Sequence, residues 1–112
     1  MNNADREAQH LVNLGITESI DDLFARAADQ PVVRAFLLAL TELEAAEHQM
    51  LDQARRVTDV AARVTGYVHS GSSINPLGEL QGAGSQFDVS CATLSAARKN
   101  IKTLAGLLPP AV

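Results

Sequence analysis

Hydrophobic residues recur along the middle of the chain at alternating steps of three and four. From Val33 the walk runs through Phe36, Leu40, Leu43, Glu47, Met50, Ala54, Val57, Ala61, Val64 and Val68, with Glu47 its one charged member. A 3-4 alternation sustained that long is the pattern of a heptad seam on an amphipathic helix. No proline interrupts Val32 to Val68, and the first glycine is Gly66. At 1.5 Å per residue such a helix would be roughly 55 Å long, so the remaining residues must pack along it. A second walk runs through Leu77, Leu80, Gly84, Phe87, Cys91, Leu94, Arg98, Ile101, Ala105 and Leu108, again with one charged member, Arg98. Joined by the turn-forming run Ser70-Gly71-Ser72-Ser73-Ile74, the two seams predict an antiparallel hairpin.

Punctuating residues place the helix ends. A first helix over about 3–14 has Asn2 or Asn3 as its cap, Ala4, Ala8, Leu11 and Val12 at helical spacing, and Gly15 as its stop. A second, over about 18–29, has Thr17 or Ser19 as cap and Glu18, Asp21 and Asp22 at its positive end. Ile20, Leu23, Phe24, Ala27 and Ala28 form its apolar face. Asp29-Gln30-Pro31 ends it and opens the long helix, 31–69, because proline is tolerated in a first turn. Asn75-Pro76 opens the last helix, 76–108, and Pro109-Pro110 stops it. Gly82-Ala83-Gly84, followed by Ser85 and Asp88 as a possible fresh cap, predicts a kink or break near 82–85.

The two halves of the long helix differ. All residues from Val32 to Leu40 except Arg34 are apolar, so this end should be covered on several sides. Beyond Leu51 the stripe narrows, and Asp52 with Arg56 and Asp59 with Arg63 have the i, i+4 spacing of a wet face. The expected architecture is all-α: one domain, a coiled-coil-like antiparallel hairpin of long helices buttressed by two short N-terminal helices into a small bundle. Phe36, Leu40, Leu43 and Leu104 are expected to be almost fully buried.

Composition narrows this picture. With 112 residues the chain suits one domain that needs neither disulfide nor metal to fold. It is 46% apolar but only 4% aromatic and has no tryptophan, so alanine supplies much of the core and helices must approach closely. A net charge of −4 and a pI near 5.2 argue against broad electrostatic capture of nucleic acid or anionic membrane. Cys91 is the one cysteine, which excludes an intramolecular disulfide. The polar run Met1 to Glu7 has no apolar signal core, and no run approaches the ~18 to 20 apolar residues of a membrane span. The expectation is a cytoplasmic protein with no membrane partner, with leaderless export left open.

Candidate chemistry is sparse. Glu44, Glu47 and His48 stand together, and Glu44 with His48 has the i, i+4 spacing of a two-ligand helical metal site, the basis of an alternative reading as a metal-binding or enzymatic bundle. The second long helix offers no Glu-x-x-His to complete it, so a solvated edge is preferred and neither metal nor cofactor is expected. His10 and His69 are isolated. Cys91 lies on the stripe among Val89, Ala92 and Leu94 without a nearby histidine, as an inert thiol would. Arg98, Lys99 and Lys102 form the one net-positive patch, which supports a further alternative as a nucleic-acid accessory factor; without aromatic partners it makes a poor groove binder. In outline the chain resembles the small helical-hairpin proteins exported by type VII secretion systems. It lacks their Trp-x-Gly turn, and Tyr67 is followed four places on by Gly71 where their tail signal has an acid, so nothing carries over.

The expected function is therefore a non-enzymatic interaction or assembly module, whose partner is a second copy of itself or another helical protein. Leu37, Leu38, Leu51 and Val60 lie off the main seam and are the candidate interface. Glu47 and Arg98 are expected to meet across the hairpin as a structural ion pair that fixes its register.

Overall fold

A computed structural model describes residues 3–110, with the backbone alone at Asn3; the cap expected at Asn2 or Asn3 falls outside the described residues. The order is α1 (Asn3–Asn13), α2 (Ile20–Ala27), α3 (Pro31–Ser70) and α4 (Leu77–Leu107). The long helices α3 and α4 pack against each other, and the two short helices precede them, as the pattern predicts.

Each boundary has a local cause. Gly15 sits in the left-handed region at φ 74° and closes α1 with a double bond pattern: its own N–H donates to the Val12 carbonyl, and Ile16 N–H to that of Leu11. Gly71, at φ 69°, ends α3 the same way, with Gly71 N–H donating to Val68 and Ser72 N–H to Tyr67. Ser19 caps α2, its Oγ accepting the Asp22 N–H at 3.1 Å. Pro31 is the first residue of α3, and the Gln30 carbonyl accepts the first helical bond, from Arg34. Asn75 Oδ1 accepts the Leu77 N–H at 3.0 Å, which starts α4 one residue later than expected.

The chain divides into two compact units. The first comprises residues 1–44 and 96–112, and so contains α1, α2, the opening of α3 and the end of α4. Its core is Leu11, Leu23, Ala27, Val33, Phe36, Leu37, Ala39, Leu40, Leu43 and Ile101. The multi-sided cover expected from Val32 to Leu40 is present: only Arg34 and Leu38 of that stretch are exposed. Two expectations fail here. Leu104, near the end of α4, is half-buried, and Ile101 one turn earlier takes the buried place. Phe24 is exposed, because eight residues of α2 give a buried side only as wide as Leu23 and Ala27.

The second unit, residues 45–95, is a helical hairpin made by the rest of α3 and α4 around the turn. Its buried residues follow a 3-4 walk, but one that differs from the walk the sequence suggests. On α3 the covered positions are Ala46, Glu47, Met50, Gln53, Ala54, Val57, Val60, Val64 and Tyr67, with Ala46 and Val60 the most deeply buried, while Ala61 and Val68 are exposed. Met50, Val57 and Val64 belong to both walks. Toward the turn the other half of the seam moves back one residue, from Ala61 and Val68 to Val60 and Tyr67, while nearer the start of the unit Ala46 is buried beside half-buried Glu47, and Gln53 and Ala54 are covered alike.

On α4 the same exchange brings in Ala83 and Ser90 for Gly84 and Cys91, and beyond the unit Ala97 for Arg98. Arg98 gives way to the neighbouring Ala97, which spares the cost of burying a charged group, and Ala46 is buried deeper than half-buried Glu47. Val60 and Tyr67 also bury more apolar surface than Ala61 would. Residues 82–84 are helical within an uninterrupted α4, so the break expected there does not occur; Ala83 is buried, and its packing offsets a propensity cost of about 1 kcal/mol per glycine.

Candidate interaction surface

The two rows beside the buried stripe of α3 have opposite chemistry. Arg56 and Arg63, seven apart, run along one flank; Ala54, Ala61 and Val68, also seven apart, run along the other. On α4, Glu79 and Gln86 form one row, and Leu77, Gly84 and Cys91, with Leu80 beside them, form the other. Arg63 Nη1 lies 3.3 Å from Glu79 Oε1, and Arg56 Nη1 donates to Gln86 Oε1. Seven residues forward on α3 match seven back on α4, the step of an in-register antiparallel heptad. The i, i+4 pairs expected for Arg56 and Arg63 give way to these rungs, because arginines bordering the buried stripe reach the neighbouring helix. Asp52 instead lies 3.6 Å from both His48 and Arg55.

With the polar rows facing each other, the other rows share the opposite face of the hairpin, with Glu47 one heptad before Ala54 and exposed Asp88 four residues after Gly84. Ala54 and Gly84 are half-buried there; Ala61, Val68, Leu77 and Leu80 are exposed, Val68 at 73% and Leu77 at 53%. Thr58 and Thr65 border this face, and their hydroxyls donate back to the Ala54 and Ala61 carbonyls at 3.1 and 3.2 Å. Ile74, in the turn, is exposed as well. The other face has an open groove lined by Gln49, Gln53, Ser85, Gln86 and Val89. Gln53 Oε1 is shut from solvent there and has no hydrogen-bond partner.

The sequence-predicted sites divide under this geometry. Leu38 and Leu51 are exposed, whereas Leu37 and Val60 are buried inside the chain, Val60 at 2%, and offer no surface to a partner. Leu38 and Leu51 are thirteen residues apart on α3, about 140° around the helix at 100° per residue, so they do not form one patch. Arg98 is exposed, with Ala97 in its expected place, and Glu47 is half-buried beside Ala46. Lys99 and Lys102 are exposed with Arg98. Glu44 is half-buried and His48 exposed; among the described residues no group of three or more His, Cys, Asp or Glu side chains could hold a metal ion. Cys91 is a free, half-buried thiol.

One polar cluster in the first unit has no precursor in the sequence reading. Arg26, 13% exposed, forms an ion pair with Glu18, 17% exposed, and its guanidinium also donates to Gln30 Oε1 at 3.1 Å and to the Pro109 carbonyl. Arg34 Nη1 donates to the Ala27 and Ala28 carbonyls at 2.9 Å each, closing the end of α2. The Arg26 cluster is saturated by its own chain, a structural clamp rather than a site. No helix of the described residues is long and apolar enough to cross a membrane. Comparison with known proteins finds no matching family model, curated protein or solved structure.

Proposed function

We propose that this chain is a helical protein–protein interaction module that binds through the face of its hairpin that carries Val68, Leu77 and Leu80. The observation that supports the reading is the contrast between the hairpin's flanks. One closes with Arg56–Gln86 and Arg63–Glu79, while the other leaves Val68, Leu77 and Leu80 in water beside small residues. Apolar side chains scattered singly over a surface are ordinary; several of them gathered on one face mark a contact site. Enzymatic work draws less support, since the open groove on the other face is bordered by glutamine, serine and valine, and a second pocket, between Ala4 and Ile20, has Glu18, already paired with Arg26, as its one charged lining residue. The test is affinity capture from the native cell extract with the wild-type chain and with Leu77→Glu. An acid in the first turn of α4 suits the helix end, so the variant should fold. The module reading expects at least one protein retained by the wild type and lost by the variant. Identical retained sets would refute it.

A further inference from the structure

We infer that the start of α4, residues 77–82, opens and closes as a local unit while the rest of the chain stays folded. Within the second unit, Val60 is the last buried residue before the turn and Ala83 the first after it, so no residue of 61–82 is buried. Leu77 and Leu80, the large apolar side chains of 77–82, remain 53% and 38% exposed. Releasing the segment as far as Gly82 therefore gives up no buried residue of its own, the condition under which a helix opens locally rather than with the whole chain.

Helix propensity decides which arm gives way. Gly78 and Gly82 are two of these six residues, and a Cβ built on either meets nothing within 4 Å, so no close packing compensates them. A glycine in a helix interior lowers the helical weight about fivefold relative to alanine. The facing arm is firmer: α3 beyond Val60 has one glycine, Gly66, in ten residues, and its Val64 and Tyr67 are half-buried. What fastens the α4 side is the Asn75 cap and the Arg63–Glu79 ion pair, whose side chains are 53% and 43% exposed and whose attraction water screens. The next fasteners on α4, the Arg56–Gln86 hydrogen bond and buried Ser90 and Leu94, lie beyond Ala83, and the opening stops there.

The opening stands apart from the interaction reading, but its consequence for the binding face rests on it. Leu77 and Leu80 move with the segment while Val68 stays on α3, so the open state divides the face. A partner that touches all three residues selects the closed state, and its apparent affinity falls in proportion to the closed fraction.

The test is hydrogen exchange read residue by residue by NMR on the purified full chain, at several urea concentrations below the unfolding transition. A helical N–H donates to the carbonyl four residues back, as Leu80 N–H does to Pro76, so amides 80–84 report the segment and amides 90–94 the body of the same helix. After correction for intrinsic rates, protection at 80–84 should be at least about tenfold below that at 90–94, where exchange must uncover Leu94. It should also respond less to urea, whose effect scales with the surface exposed. Gly82→Ala should raise protection at 80–84 about fivefold. Equal protection and equal urea slopes in the two sets overturn the inference, because the hairpin then opens as one unit. So does a Gly82→Ala chain whose amides 80–84 exchange as in the wild type. The chain is measured without a partner, so failure here is distinct from failure of the capture experiment with Leu77→Glu, which bears on the interaction reading alone.

Discussion

Replacing Arg26 with alanine removes, in one change, the hydrogen bonds to Gln30, Glu18 and the Pro109 carbonyl. A hydrogen bond with a charged member contributes about 1.5 to 3 kcal/mol. These share one guanidinium, so their values do not add, and truncation releases up to about 2 kcal/mol of side-chain entropy. Water reaches 13% of Arg26 and 17% of Glu18, which screens the ion pair somewhat. In the opposite direction, Glu18 is left mostly covered without its counter-charge. The net expectation is a loss of about 2 to 4 kcal/mol. With a urea slope of about 1.5 kcal/mol per M, the unfolding midpoint should fall by roughly 1.3 to 2.7 M. Arg26→Lys should recover only part of this, because an ammonium keeps the charge but not the planar fork. A urea melt followed by circular dichroism decides the matter. An Arg26→Ala midpoint within about 0.5 kcal/mol of wild type, the range of ordinary surface changes, would refute the clamp.

Three further changes probe other parts of the structure. Val60→Ala should cost about 1 to 2.5 kcal/mol, and Val68→Ala, at an exposed site, less than about 0.5; the reverse order in thermal melts would restore the walk read from the sequence. Gly71→Ala places a Cβ at φ 69° and should destabilise by about 1 kcal/mol, whereas Gly82→Ala, with open space around it, should stabilise by up to about 1; equal shifts in the two melts would mean that the α3 end does not need a left-handed residue. For Glu47 and Arg98, proposed to pair across the hairpin, a double-mutant cycle to alanine should give a measurable coupling. Strictly additive losses would count against their contact.

Helix ends were legible because their determinants are local. Gly15 and Gly71 supply positive φ, Pro31 a first turn, and Ser19 a side-chain acceptor, each acting within a few residues of itself. The seam was legible as a period and not as a phase. Met50, Val57 and Val64 fit two interleaved walks equally, and periodicity cannot choose between Ala61 and Val60 as the companion row. That choice is made by volume and charge once a second helix is present, and it removes Arg98 from the stripe. The Arg26 clamp was not legible at all: one acceptor is a backbone carbonyl at Pro109, 83 residues away, and a carbonyl carries no residue signature.

The rungs Arg56–Gln86 and Arg63–Glu79 also locate the crease of the hairpin. Arg56 and Gln86 stand equally far along the chain from Gly71, and so do Arg63 and Glu79. A slip of one heptad between the arms would keep the apolar repeat in step and would still set an arginine against a polar partner, Arg56 against Glu79 or Arg63 against Gln86. Neither the stripe nor the rungs alone forbid it. Such a slip moves the midpoint by half a heptad, toward Val68 in one direction or Ile74 and Asn75 in the other. Both shifts strand the one residue of the turn that already holds a positive φ and unravel an end of α3 or α4. The pairing of the two arms is thus indexed by a single glycine, and lengthening the turn on one side of it should free the arms to mispair.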